Sequence, residues 1–263
     1  MFIVAVTRWA RPFDQELATL APILNIGQYD LRLRLAGPLP VVVAQRLEED
    51  FAKKILAVLV ERGHGALACD ASQVSGSEEM FTPRIFAFES MSFVILDKEQ
   101  RQVPFADILA LIQATCSISD TKASTSKKKK FSLTRTAMTG GLVRSKKVSK
   151  ESRVESVERQ QVLYVFQRTG QNPIFLSESR LQYSGLGDKM KAASPENFSS
   201  LVTLLREQAP AAFYDDRLAR QPRASGQIRV SGSAKDRKIV QSNASENDLA
   251  VHLIVQAHLL QQL

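Results

Sequence analysis

Between Lys122 and Arg153 eleven residues are basic (Lys122, Lys127, Lys128, Lys129, Lys130, Arg135, Arg144, Lys146, Lys147, Lys150 and Arg153) and one, Glu151, is acidic. A stretch so charged and so poor in apolar side chains cannot bury a core of its own. It therefore divides the chain into a folded body and a basic insertion, placed at 117–157. Its stretch from Lys122 to Arg153 carries +10 where the whole chain carries +8, which leaves the remainder at −2. The high isoelectric point is thus a property of one segment and says little about the body.

The body has the length for two small domains, since 263 residues with 44% hydrophobic side chains can support more than one core. Two cysteines, Cys69 and Cys116, far apart and each among apolar neighbours, exclude a disulfide framework and read as buried thiols in a reducing compartment. Two thiols and three histidines are too few for an ordinary closed zinc site. Met1 to Val6 is apolar but runs into Arg8 and Arg11, the reverse of a signal peptide. The uncharged stretch after Asp248 is short and holds His252, Gln256, His258, Gln261 and Gln262, so it is no membrane span. A cytoplasmic protein is expected, with the membrane surface as a peripheral station.

Phe2 to Val6 reads as a strand. Pro12 opens a helix whose apolar side is Leu17, Leu20 and Leu24. In YDLRLRLAG, Leu31, Leu33 and Leu35 alternate with Arg32 and Arg34, which alone argues a strand. A β-branched run follows from Pro40 to Ala44. Leu47, Phe51, Ile55, Val58 and Leu59 then form a helical stripe that Gly63 stops, and GALACDA returns as a strand. Over residues 1–76 this succession resembles the C-terminal domain of the ribosomal stalk protein, a fold shared by protease adaptors of the ClpS type. Gly27, Pro40, Ala52, Ile55, Leu59 and Gly63 fall where that pattern wants them. The resemblance implies a small α/β sandwich and makes Gln28 to Leu35 a helix against its period of two. Function does not travel with it, because Gln28, Tyr29, Asp30 and Arg32 stand where the stalk domain presents lysines.

From Ile85 the texture is strand, polar turn, strand, with a hairpin turning at Arg168 to Asn172 and a helix begun by Ser194 and Pro195 with Phe198, Leu201, Leu204 and Leu205 on one face. Residues 82–218 resemble a pleckstrin-homology-like antiparallel barrel with a closing helix, interrupted by the basic insertion, in which FSLTRTAMTGGL is a candidate strand. Residues 219–244 have linker composition. A last helix, 245–263, starts on a capping box of Ser245 and Asp248 and carries Leu249, Leu253, Leu260 and Leu263 as an apolar face that, on its tether, docks on the chain's own domains, swaps into a neighbour or fills a partner's groove. The fold class is α+β.

Chemistry is scarce. No phosphate-binding glycine loop, dinucleotide turn, metalloprotease helix or nucleophile elbow is present, so no cofactor and no small-molecule substrate is indicated. Gly140 and Gly141 read as a turn. His64, Cys69 and Asp70 lie close in sequence, yet neighbours along a strand take opposite faces, and a solvent-facing histidine beside a core cysteine is expected. Asp215 and Asp216 read as a terminus paired with Arg217 or Arg220. No catalytic residue and no metal ligand is assigned. The anion-contacting set is Lys127, Lys128, Lys129, Lys130, Arg135, Arg144, Lys146 and Lys147, with Phe131 as an aromatic neighbour and Ser132 or Thr134 as sites where phosphate would oppose the attraction. Nucleic acid ordinarily brings stacking aromatics or a reading module, and neither is evident. The expected role is a non-enzymatic adaptor that uses the insertion and the last helix to contact a protein partner or an anionic membrane surface. Binding to nucleic acid or the ribosome is the alternative.

Overall fold

Phe2–Arg8 (β1) is a run of aliphatic residues buried on both faces, and both faces are covered by helices. The computed structural model describes residues 1–97, 100–131, 145–223, 227–232 and 236–263; of residues 120–155 and 227–238 it describes the backbone alone. The chain forms two units, one of Met1–Cys116, Gln160–Ala224 and Ala244–Leu263, the other of Ser117–Arg159 and Ser225–Asn243. Helices accompany sheets that are mainly antiparallel, so the class is α+β.

In the larger unit β1 is the centre of a three-stranded antiparallel sheet, between Val41–Arg46 (β2) and Gly65–Asp70 (β3). Leu17–Leu24 (α1), Gln28–Leu35 (α2) and Glu49–Glu61 (α3) cover one face, burying Leu20, Leu24, Leu31, Leu35, Ile55 and Leu59 against Val4, Val6 and Val43. The alternating leucines of α2 are resolved by helical spacing. Leu31 and Leu35, one turn apart, are buried, whereas Leu33 is 62% exposed. Gly63 ends α3 at φ 82°, where the His64 N–H reaches back to the Leu59 carbonyl.

The remainder of this unit is built on Phe86–Phe88 (β4), Ser92–Ile95 (β5) and Arg101–Pro104 (β6), an antiparallel meander. It shares a core with the first part of Ile108–Phe131 (β7), the last part of Ser145–Gln167 (β8), Ile174–Ser177 (β9) and Ser194–Gln208 (α4). The β8–β9 hairpin turns where the sequence placed it. Asp107 staples that turn, accepting from Thr169 N and Oγ1 at 3.2 and 2.9 Å and from Gln167 Nε2 at 2.9 Å. Phe213–Asp216 (β10) runs parallel to β7 and leads into the single turn Arg217–Arg220 (α5).

The last helix, Ala244–Leu259 (α6), is not a tethered element. One side packs on the outer face of the first sheet, where Leu253 and Ala257 meet Ile3, Ala5, Leu67 and Cys69. The opposite side carries Ala250, Val251, Ile254 and Val255 onto Ala110, Ile112, Ala114, Val162 and Tyr164 of β7 and β8. A helix enclosed by two sheets is apolar all round, which is why Val251, Ile254 and Val255 accompany the leucines. The capping box is also corrected. The helix begins at Ala244, and Asp248 turns away to Ser77 and Tyr164. At the far end Gln261 is left-handed and Gln262 N–H bonds the Ala257 carbonyl. The Gln262 carbonyl then accepts from Thr7 Oγ1 directly over Gly65, where a Cβ would collide with it.

In the smaller unit β7 continues to Phe131 and β8 begins at Ser145. The expected insertion 117–157 is therefore mostly strand, and its Ser, Thr and Val content suits strand backbone. The expected strand at FSLTRTAMTGGL contributes only Phe131, and the rest of it lies outside the described residues. The linker 219–244 is corrected as well, because Gln227–Gly232 (β11) and Asp236–Ser242 (β12) form an antiparallel hairpin within it. The alternation Ile228, Val230 and the pair Ile239, Val240 were its sequence signals. β12 pairs with β7, from Ser242↔Ile118 to Asp236↔Ser124, giving the order β11-β12-β7-β8.

Candidate functional site

The division into units is also a division of charge. Ser117–Arg159 and Ser225–Asn243 hold 16 basic and 5 acidic residues, a net +11, so the larger unit is −3. Between Lys127 and Lys150 there are nine basic residues and no acid. Of the eight residues assigned to anion contact, Lys127 to Lys130 lie on β7 and Lys146 and Lys147 on the neighbouring β8. Arg135 and Arg144 lie outside the described residues, as do Ser132, Thr134, Gly140 and Gly141. Sequence reasoning missed the contribution of Arg229, Arg237 and Lys238, because the hairpin that carries them was taken for a linker. The register sets Lys238 directly against Lys122. Like charges at opposite positions of paired strands disfavour pairing.

The catalytic candidates are separated by their own partners. His64 is buried rather than solvent-facing. Its Nδ1 accepts the Ala10 N–H at 3.1 Å, its ring stands edge-on to Trp9, and Nε2 lies 3.5 Å from Glu16 Oε1. Cys69 sits under α6, and Asp70 accepts from Ser72 N at 3.0 Å and from the chain's amino terminus at 3.3 Å. Asp215 pairs with Arg217 and Asp216 with Arg220, each at 2.7 Å, although Asp215 is buried on β10 rather than solvated past a helix end. His258 stacks on Phe213, with ring centroids 4.2 Å apart. Among the described residues no three His, Cys, Asp or Glu side chains are grouped to hold a metal ion.

Two buried carboxylates were not anticipated. Glu16 is fully enclosed, ion-paired with Arg62 through Oε2 and with Arg11 through Oε1 at 3.4 Å. Burial works to raise its carboxyl, but the hydrogen bond and charge of Arg62, then those of His64, hold it below the usual range. Asp248 is the opposite case. Burial pushes its carboxyl up despite hydrogen bonds from Ser77 and Tyr164. Beside it the Cys116 thiol, touched by Asn247 Nδ2 at 3.6 Å, is pushed up to about 11 by burial. A buried thiol of that kind is not a nucleophile at neutral pH. Neither carboxylate announces itself in the sequence, since nothing around Glu16 or Asp248 departs from an amphipathic pattern.

The face proposed for a partner helix is occupied at home. Leu253 is buried, Leu249 and Leu263 pack on the same cluster, and Leu260 alone is mostly exposed. Compared with known protein families, with curated proteins and with solved structures, the chain matches none. Its site is therefore read from its own geometry. Among the described residues no helix is long and apolar enough to cross a membrane.

Proposed function

We propose that this is a non-enzymatic binding protein whose basic sheet attaches it to a phosphate- or sulfate-bearing polyanion. The observation that carries the reading is the coincidence of the unit boundary with the charge boundary, +11 against −3. The sheet's structural demands do not call for that charge. The register sets Lys122 opposite Lys238, and like charges at opposite positions of paired strands disfavour pairing. The adaptor role keeps the basic contact of the sequence reading and drops the C-terminal helix, whose apolar surface serves the core. The separated surroundings of His64, Cys69, Asp70, Asp215 and Asp216 support binding over catalysis.

Retention on a sulfated polysaccharide matrix tests this. The intact chain should bind at low salt and elute at a salt concentration well above that for the variant carrying Lys127→Gln, Lys128→Gln, Lys129→Gln and Lys130→Gln. Flow-through of the intact chain at low salt, or co-elution of the two, overturns the proposal.

A further inference from the structure

Resting on that reading, we infer that the polyanion is B-form double-stranded DNA and that the β7–β8 ribbon enters its major groove. The argument begins with width. β12 accompanies β7 only as far as Ser124, where Asp236 is its partner. Thr125 to Phe131 continue β7 past the described pairing with β12, and the other neighbour of β7 in the sheet order is β8. Among the described residues the β11–β12 hairpin thus accompanies β7 only to Ser124, and beyond it the sheet narrows toward the β7–β8 pair. Strands lie about 4.8 Å apart, and the major groove, about 12 Å wide, admits a two-stranded ribbon but not a four-stranded sheet.

Charge follows the narrowing. Lys127, Lys128, Lys129 and Lys130 are on the stretch of β7 beyond Ser124, and Lys146, Lys147 and Lys150 are on β8, whereas all five acids of the unit (Asp120, Glu151, Glu155, Glu158 and Asp236) fall outside 127–150. Consecutive positions of a strand belong to opposite faces, so four lysines in a row cannot all serve one face. A flat anionic bilayer rewards charge on one face. A groove walled by two phosphate backbones rewards charge on both.

The near absence of aromatic residues, which weighed against nucleic acid in the sequence, now discriminates among nucleic acids. Phe131 is the single aromatic residue of the basic unit, and single-strand binding relies on successive stacking platforms. The A-form major groove of double-stranded RNA is too deep and narrow to be read this way. Phosphate contact by lysine carries no sequence information, so binding is independent of sequence.

The test uses the full chain with a labelled 20-base-pair DNA duplex, a single strand of the same length, an RNA duplex and phosphatidylserine vesicles, over a range of salt. The DNA duplex should bind at least 10-fold more tightly than the single strand or the RNA. The slope of log K against log salt should approach about −6 for seven lysines, at about −0.9 per neutralised phosphate. Changing Lys127 to Lys130 to Gln should flatten that slope by about 3 to 4 and weaken binding at least 100-fold with the unfolding midpoint unchanged. Should that variant fail to fold, the Lys146→Gln, Lys147→Gln pair should flatten the slope by about 2. Equal or tighter binding of the single strand or the RNA, or binding of vesicles without DNA, overturns this inference while leaving the polyanion reading in place. Failure to bind any of the four probes or the sulfated matrix removes both.

Discussion

The Tyr164 hydroxyl donates to Asp248 Oδ1 at 2.9 Å, tying β8 to α6 at a point where both side chains are buried. Ser77 completes the site from the loop after β3, its N–H and O–H on Oδ2 at 2.9 and 3.1 Å. Burial nevertheless leaves the Asp248 carboxyl above its ordinary value of 3.8. A raised carboxyl favours the protonated form in the folded state. Its contribution is thus fully present below pH 3.8 and is lost as pH rises through the folded value. Relative to Asp248→Asn, which does not titrate, the native chain should lose stability as pH rises from about 4 toward neutrality. Tyr164→Phe, which removes a donor to the ionised form, should carry that loss to higher pH. Urea unfolding across this range measures both, and parallel profiles for the native chain and Asp248→Asn would sink the assignment.

Leu253 on the last helix and Leu260 just past its end lie seven residues apart and separate its two readings. If α6 is enclosed by two sheets, Leu253→Ala opens a cavity against Ile3, Ala5 and Leu67 and should cost about 2–5 kcal/mol. Leu260, 57% exposed, should cost no more than about 0.5 kcal/mol when changed to Ala. A helix that docks elsewhere would show small and equal losses in the unfolding midpoint.

The same helix marks the limit of what the sequence carries. Local signals placed α3, the β8–β9 hairpin and α4, because each is decided by spacing within a dozen residues, whereas the local period of α2 argued a strand and only the resemblance made it a helix. Ile55 with Leu59 and Phe198 with Leu201 are such pairs. α6 is decided by strands more than eighty residues away, and a helix buried on two sides looks from within like an amphipathic one with spare apolar positions at Val251 and Val255. The linker misreading has a different cause. Gly232 and Ser231 punctuate β11 and β12 so closely that short strands pass for coil, and only pairing with β7 makes them a sheet. Of the candidate site, the lysines of 127–130 and 146–147 were legible as charge. Their placement on paired strands, and the company of Arg229, Arg237 and Lys238, required topology. Glu16 and His64 illustrate the remaining blind spot, since two residues 48 positions apart meet only after β1, α1 and α3 are assembled.

That meeting sets the acid limb of stability. Burial depresses the His64 imidazole below its ordinary 6.5, with Glu16 partly opposing and Arg11 and Arg62 adding to the shift. A depressed imidazole stabilises the fold above pH 6.5, and the contribution is lost as pH falls through the folded value. Glu16, held below 4.5, acts in the same direction further down, its contribution present above pH 4.5 and lost as pH falls through the folded value. The acid limb should therefore have two steps, the first from His64. His64→Gln keeps an acceptor for the Ala10 N–H but cannot take up a proton, so it should remove the first step and leave the second. Asp248 changes in the opposite sense over the lower part of this range, and comparing each variant with the native chain at every pH isolates the two. Unfolding midpoints from about pH 7.5 down to about pH 2 provide the comparison. A His64→Gln profile parallel to the native one would show that His64 does not titrate between the folded and unfolded states, and the buried Glu16–His64 contact would then have no part in acid sensitivity.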